Sequence, residues 1–175
     1  MPGDRLRTLT NGWQPVRWIG RRHLGSLSLA LAPYLRPIRI RAGAFGRGRP
    51  HRDLIVSPQH RLYLEGPTIE LLFAARGVLV AASHLVDDQK VMRASDLDEV
   101  TYHHVLLDRH EVIRANGLPT ESLRLGEVAL SALGKEAREE IARVTGHAAA
   151  GSGPGIAAAP ILHRHEALAL GGMAP

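Results

Sequence analysis

The 175-residue chain contains no cysteine. That absence excludes a disulfide framework and any thiolate metal site, and it leaves only oxygen or nitrogen as a nucleophile within these residues. Aromatic residues make up 4% of the sequence, too few for a stacking platform of the kind that grips single-stranded nucleic acid. The core must therefore be mostly aliphatic. Lysine is almost missing as well. Lys90 and Lys135 are the only two, so the formal net charge of +5 is carried by guanidinium groups. No apolar run approaches the ~20 residues that cross a bilayer, and the opening MPGDRLRTLT has no apolar signal-peptide core. No membrane partner is expected, and a cytoplasmic location is the default.

What is present suits one globular domain followed by a tail. The length fits the usual span of ~100 to 200 residues per domain, and 45% hydrophobic residues are enough to build a core. Turn formers punctuate the first two-thirds: Pro2-Gly3-Asp4, Asn11-Gly12, Pro33, Pro37, Gly48-Arg49-Pro50, Ser57-Pro58, Gly66-Pro67 and Asn116-Gly117. Between them lie short β-branched or alternating runs, at Pro15 to Ile19, Ile38 to Ala42, Leu54 to Val56, Arg61 to Leu64, Gly77 to Val86 and Tyr102 to Ile113. This pattern predicts an all-β domain of many short strands and hairpins.

One C-terminal helix is predicted, from Glu127 to about residue 145. Leu130, Leu133, Ala137, Ile141 and Val144 recur at spacings of three and four, Glu139 and Arg143 sit four apart, and Gly146 stands where a cap belongs. The β domain with its helix is placed at residues 1–147. Residues 148–175 read as a flexible Gly/Ala/Pro-rich tail whose last stretch docks weakly at most.

Three groups of residues invite a chemical reading. The arginines from Arg36 to Arg52 form the densest basic cluster, a possible nucleic-acid surface, but they alternate with Ile and Ala as solvent-facing strand positions do. No nucleic-acid partner is expected. Ser57-Pro58-Gln59-His60 puts a hydroxyl and an imidazole three residues apart between two apolar strands, a pairing suited to polarising an amide and protonating its departing nitrogen. A Ser-Pro turn followed by a half-exposed His explains the same residues. The stretch TYHHVLLDRHEVIRANGLPTES holds His103, His104 and His110, and Asn116-Gly117 makes it a hairpin. It is a poor metal site, because adjacent histidines on a strand point to opposite faces. That leaves one of them plus His110, with Asp108 or Glu111 as uncertain partners. His163 and His165 in the tail add little. No metal or cofactor is expected.

In this order, Pro2-Gly3-Asp4 with LRTLTNGWQPVRWIGRR, IRIRAGAFG, DLIVSPQHRLYL and TYHHVLLDRHEVIRANGLPTESL resemble the Hint superfamily of hedgehog and intein autoprocessing domains. The likeness is strongest to bacterial Hint-domain proteins outside the inteins proper, and it runs from about Pro2 to about Gly126. It implies a compact Hint-like β fold. It also implies that Ser57 and His60 correspond to the family's Thr-x-x-His element, whose His helps activate the N-terminal scissile bond. His110 corresponds to the later His that assists acyl rearrangement. Tyr102 corresponds to the Tyr of that later block, with His103 where many inteins carry an acid.

Two departures bear on function. Family members begin with a Cys, or a Ser or Thr, ahead of the Gly-Asp element, and here Met1 immediately precedes Pro2-Gly3-Asp4. The first strand and the nucleophile are therefore expected to be missing, from truncation or a misplaced start, leaving an unpaired edge. Where an intein ends in His-Asn, this chain continues Pro119-Thr120-Glu121-Ser122, which removes Asn-driven C-terminal cleavage. The expected function is self-cleavage of an upstream peptide bond by acyl rearrangement in the intact protein, inactive in this chain. The partner would be a polypeptide fused in cis, and no turnover enzyme is expected. The alternative is a non-catalytic β interaction or folding module.

Overall fold

The computed structural model describes residues 1–125, 134–145 and 156–170. Among them the chain forms eleven strands and four α-helices, and none of these helices is long and apolar enough to cross a membrane. Two compact units are distinguished. The first comprises Met1–Arg21, His103–Ile113 and Glu121–Ala158, the second Arg22–Tyr102, Arg114–Thr120 and Ala159–Pro175.

In the first unit, β1 (Arg5–Arg7) pairs antiparallel with β2 (Trp13–Pro15), Arg7 opposite Trp13. The reversal between them is held by Thr8, whose hydroxyl donates to the Gly12 carbonyl at 3.0 Å and accepts the Asn11 N–H at 3.1 Å. A small core joins Trp18 of β3 (Trp18–Leu24), Leu106 of β9 (Val100–Leu106) and Ile141 of α3 (Lys135–Thr145), with Leu123, Leu125 and Ala137 packed around them. The indole N–H of Trp18 donates to Glu140 at 2.7 Å, so a buried ring keeps its one polar atom satisfied. Gly20 makes room for that ring, since a Cβ there would lie 1.9 Å from it.

The helix turns its Ala137 and Ile141 positions inward, as the 3.6-residue period requires, but Val144 is 43% exposed. Its ion pair is Lys135 with Glu139 at 3.8 Å, while Arg143 Nε reaches the Glu139 carbonyl at 3.5 Å. Leu130, Leu133 and Gly146, also read as part of this helix, lie outside the described residues.

In the second unit, β4 (Ile38–Ile40) is the centre of a three-stranded antiparallel sheet between β5 (Leu54–Val56) and β8 (Val91–Arg93). Ile38 and Ile40 are fully buried, whereas the alternate residue, Arg39, reaches out to Asp96 with two bonds of 3.0 and 2.8 Å. A second sheet has the order β10 (Val112–Ala115), β11 (Leu118–Glu121), β6 (Arg61–Glu65), β7 (Gly77–Ala81). Asn116 and Gly117 connect β10 to β11 with φ of 50° and 84°, the left-handed region that this dipeptide tolerates. Asn116 also ties the turn down: its amide donates to the Asp53 carbonyl at 3.1 Å and accepts from Arg52 at 3.1 Å. The core between is aliphatic, built on Ile38, Ile40, Val56, Leu62, Val91 and Leu118.

Two short helices that the strand pattern does not announce, α1 (Ser26–Leu31) and α2 (Pro67–Phe73), complete this unit. Residues 156–170 fall in the stretch read as tail, and part of them is packed. Leu79 of β7 donates to the Pro160 carbonyl at 2.8 Å and accepts from Leu162 at 2.9 Å. Leu162, Ala167 and Leu170, the latter two in or next to α4 (Arg164–Leu168), close over Ile69, Val78 and Val80. Three apolar residues at these spacings are enough to cover one face of a fully buried strand.

Leu62 is fully buried and Leu71 is 83% exposed. Leu62→Ala is expected to cost ~2 to 5 kcal/mol and Leu71→Ala less than ~0.5 kcal/mol, read by urea unfolding. Equal losses would contradict this placement of the core.

Candidate functional site: a buried His and two buried carboxylates

After β9 the chain reverses through Asp108, Arg109 and His110, then runs along β10, the Asn116-Gly117 turn and β11. Five residues out from that turn on either side, Glu111 and Ser122 face each other. In the first unit the Glu111 N–H donates to Ser122 Oγ at 2.9 Å, and the Ser122 N–H returns to the Glu111 carbonyl at 2.8 Å. The pairing carries His110, Glu111, Glu121 and Ser122 into the interior, each no more than 8% exposed.

Burying carboxylates is costly unless donors meet them. The Glu111 carboxylate takes both its oxygens' bonds from one amide, Asn11 Nδ2, at 2.8 and 3.0 Å. Glu121 lies 3.1 Å from His110 Nε2, with the imidazole side chain 1% exposed and the carboxylate 9%. The other ring nitrogen, Nδ1, lies 3.1 Å from the backbone N–H of Ala158. A backbone N–H can only donate, so Nδ1 must present its lone pair. The ring proton then sits on Nε2 and is donated to Glu121. Two neighbours thus fix the tautomer of a neutral imidazole.

The other polar residues of this stretch are engaged elsewhere. Asp108 accepts two bonds from Arg17, at 2.7 and 2.9 Å, and that hydrogen-bonded carboxylate raises the guanidinium above its usual range. His103 is exposed and His104 half-buried. Among the described residues no group of three or more His, Asp or Glu is arranged to hold a metal ion.

Ser57 and His60 lie in the second unit, on the turn between β5 and β6. The His60 N–H closes the turn on the Ser57 carbonyl at 3.0 Å. Its flanks are pinned by Ala82 N–H to the His60 carbonyl at 2.9 Å and Ser83 N–H to the Pro58 carbonyl at 3.0 Å. Pro58 is buried, Gln59 exposed, and Ser57 and His60 are both half-buried. The structure therefore brings Ser57 and His60 onto one tight turn, and places His110 in the first unit. Tyr102 also belongs to the second unit, where its hydroxyl donates to the Leu35 carbonyl at 2.7 Å beside Leu24 and Leu29.

Asn11, Glu121 and Ala158 are absent from the sequence-based candidates, and Glu111 figured there only as an uncertain metal partner of His110, not as a partner of Asn11. Counting outward from Asn116-Gly117 would have flagged the two acids, because it puts Glu111 opposite Ser122 on a hairpin with buried neighbours. Asn11 is 100 residues from Glu111 and carries no local signal.

A family model described as Hint domain matches residues 1–127. No curated protein and no solved structure gives a significant match.

Burial pushes the Tyr102 hydroxyl up from 10.0 to about 12, with Arg22 pulling weakly the other way. A group that holds its proton more tightly when folded stabilises fully below its unfolded value and loses that contribution as pH rises to the folded one. Stability is therefore expected to fall between about pH 10 and about pH 12, and Tyr102→Phe should flatten that limb. An alkaline limb unchanged by the substitution would place the titration elsewhere.

Proposed function

The chain belongs to the Hint-domain family, and on that premise we propose that it is an autoprocessing module that cleaves the peptide bond on its N-terminal side by acyl rearrangement. A nucleophile from a polypeptide joined in cis attacks the preceding carbonyl. The carbon–nitrogen bond breaks, the departing nitrogen takes a proton, and the acyl group rests on the nucleophile until an acceptor removes it. Ser57 and His60 act on the scissile amide, and His110 serves proton transfer. The reaction occurs once per molecule, with no cofactor. The 175 residues by themselves hold no cysteine and are expected to stay intact.

The observation that supports this reading most is the pairing of His110 with Glu121 at 3.1 Å. It gives a buried imidazole one defined tautomer and one defined lone pair, as proton transfer in a fixed geometry requires. The reading involves no nucleic acid. Arg36, Arg39 and Arg52 are spent on the Ser95 carbonyl, Asp96 and Asn116. A second reading, a non-catalytic β interaction or folding module, is favoured by one fact: both ring nitrogens of His110 are already bonded.

The two readings separate in a fusion that supplies a cysteine-bearing segment ahead of residue 1. Incubated with thiol or hydroxylamine and followed by intact mass, it is expected to release the upstream polypeptide. His60→Ala and His110→Ala should each slow release by roughly 10²- to 10⁴-fold. A fusion that stays whole would contradict autoprocessing, and unchanged rates in both variants would favour the folding or interaction module.

A further inference from the structure

The Nδ1 lone pair of His110 is both prepared and covered. Nε2 faces a carboxylate that is nearly fully buried, so moving the ring proton to Nδ1 would place the Nε2 lone pair against the Glu121 oxygens, an acceptor facing an acceptor. That leaves Nδ1 as the nitrogen able to take a proton. It is occupied by the Ala158 N–H at 3.1 Å. Ala158 lies 31 residues beyond the family match, which ends at residue 127 (158 − 127 = 31). Ile156 is 93% exposed and Ala158 is itself exposed, so lifting this piece of chain uncovers little apolar surface. Such weakly tied segments open locally at low cost.

We propose that Glu121 is the positioning residue for His110, holding the Nε2–H tautomer so that Nδ1 is the working base, and that the Ala158 N–H masks Nδ1 until the strap at residues 156–158 lifts. This rests on the reading of His110 as a proton-transfer group. It adds that the carboxylate acts through the imidazole, without touching the scissile bond, and that a segment outside the family-matched region gates the site. When the strap lifts, the Nδ1 lone pair accepts a proton from the attacking group while Nε2–H stays on Glu121. The resulting imidazolium returns that proton to the departing nitrogen, so the His ends the cycle unchanged.

The test uses the full chain and nitrogen-15 NMR of its histidines. In the unsubstituted protein His110 is expected to show a pyridine-type Nδ1 and a protonated Nε2, with a nitrogen–nitrogen coupling across the Ala158 N–H···Nδ1 bond. A protonated Nδ1, or no coupling, overturns the proposal. Glu121→Gln keeps an oxygen that accepts from Nε2 and should preserve the tautomer, while Glu121→Ala should yield a mixture. An unchanged single tautomer in Glu121→Ala would mean that Glu121 only fills space.

Ala158→Pro removes the N–H. It should raise the rate of His110 modification by diethyl pyrocarbonate, mapped by peptide mass, by roughly fivefold, the equivalent of one hydrogen bond of about 1 kcal/mol. An unchanged rate with unchanged thermal unfolding overturns the mask. Should Ala158→Pro unfold, the coupling in the unsubstituted chain still decides. None of these readouts uses cleavage. A protein with this tautomer and this mask that never cleaves when fused would therefore defeat the functional reading and leave the assignment of Glu121 and Ala158 standing.

Discussion

Hydrogen bonding of buried charge is the constraint on which the candidate site depends. Two carboxylates and an imidazole are buried, each residue no more than 8% exposed, and each unmatched group would cost more than a typical net hydrogen bond returns. Glu111 is met by Asn11, and Glu121 by His110, whose other nitrogen is met by the Ala158 backbone. The matches are directional, because a carboxylate only accepts and a backbone N–H only donates. They therefore dictate more than proximity: they decide where the single ring proton of His110 resides. At His110 a structural requirement and a chemical property arise from the same two contacts.

In the second unit the aliphatic sheets sort polar from apolar side chains by alternation. Alternation in β4 buries Ile38 and Ile40 and turns Arg39 outward to Asp96. The carboxyl of Asp96, hydrogen-bonded by Arg39, is held below its ordinary range. Asp87 shows the same logic without a cation. Burial pushes its carboxyl up, but backbone N–H groups from Val91, Gln89 and Lys90 more than offset this and hold it below the usual value. Loops in this chain are held by their own side chains, which leaves the strands free to carry the core.

Local chemistry was legible in the sequence, and long-range pairing was not. Asn116-Gly117 announced its turn because only a few residue types accept positive φ, and Ile38-Arg39-Ile40 announced its strand by alternation. The Ser57–His60 turn followed from Ser-Pro. His110 was singled out over His103 and His104 by its place in an ordered set of motifs. The buried pairing of Glu111 and Glu121 was legible only by counting outward from the Asn116-Gly117 turn, because an acid in a strand otherwise reads as solvent-facing unless its partner is known. Their partners come from residue 11 and from across a hairpin. Residues 161–170 were obscured by composition, since a Gly/Ala/Pro-rich approach hides three apolar side chains that complete the cover of β7.

Coupling between His110 and Glu121 is read by a double-mutant cycle in the full chain, with His110→Ala, Glu121→Ala and the double variant compared by denaturant unfolding. A coupled pair predicts a coupling energy of about 1 to 3 kcal/mol, because either single substitution already loses the His110–Glu121 bond and the double substitution loses it only once. Losses that add to within ~0.5 kcal/mol would mean that the two residues are merely neighbours.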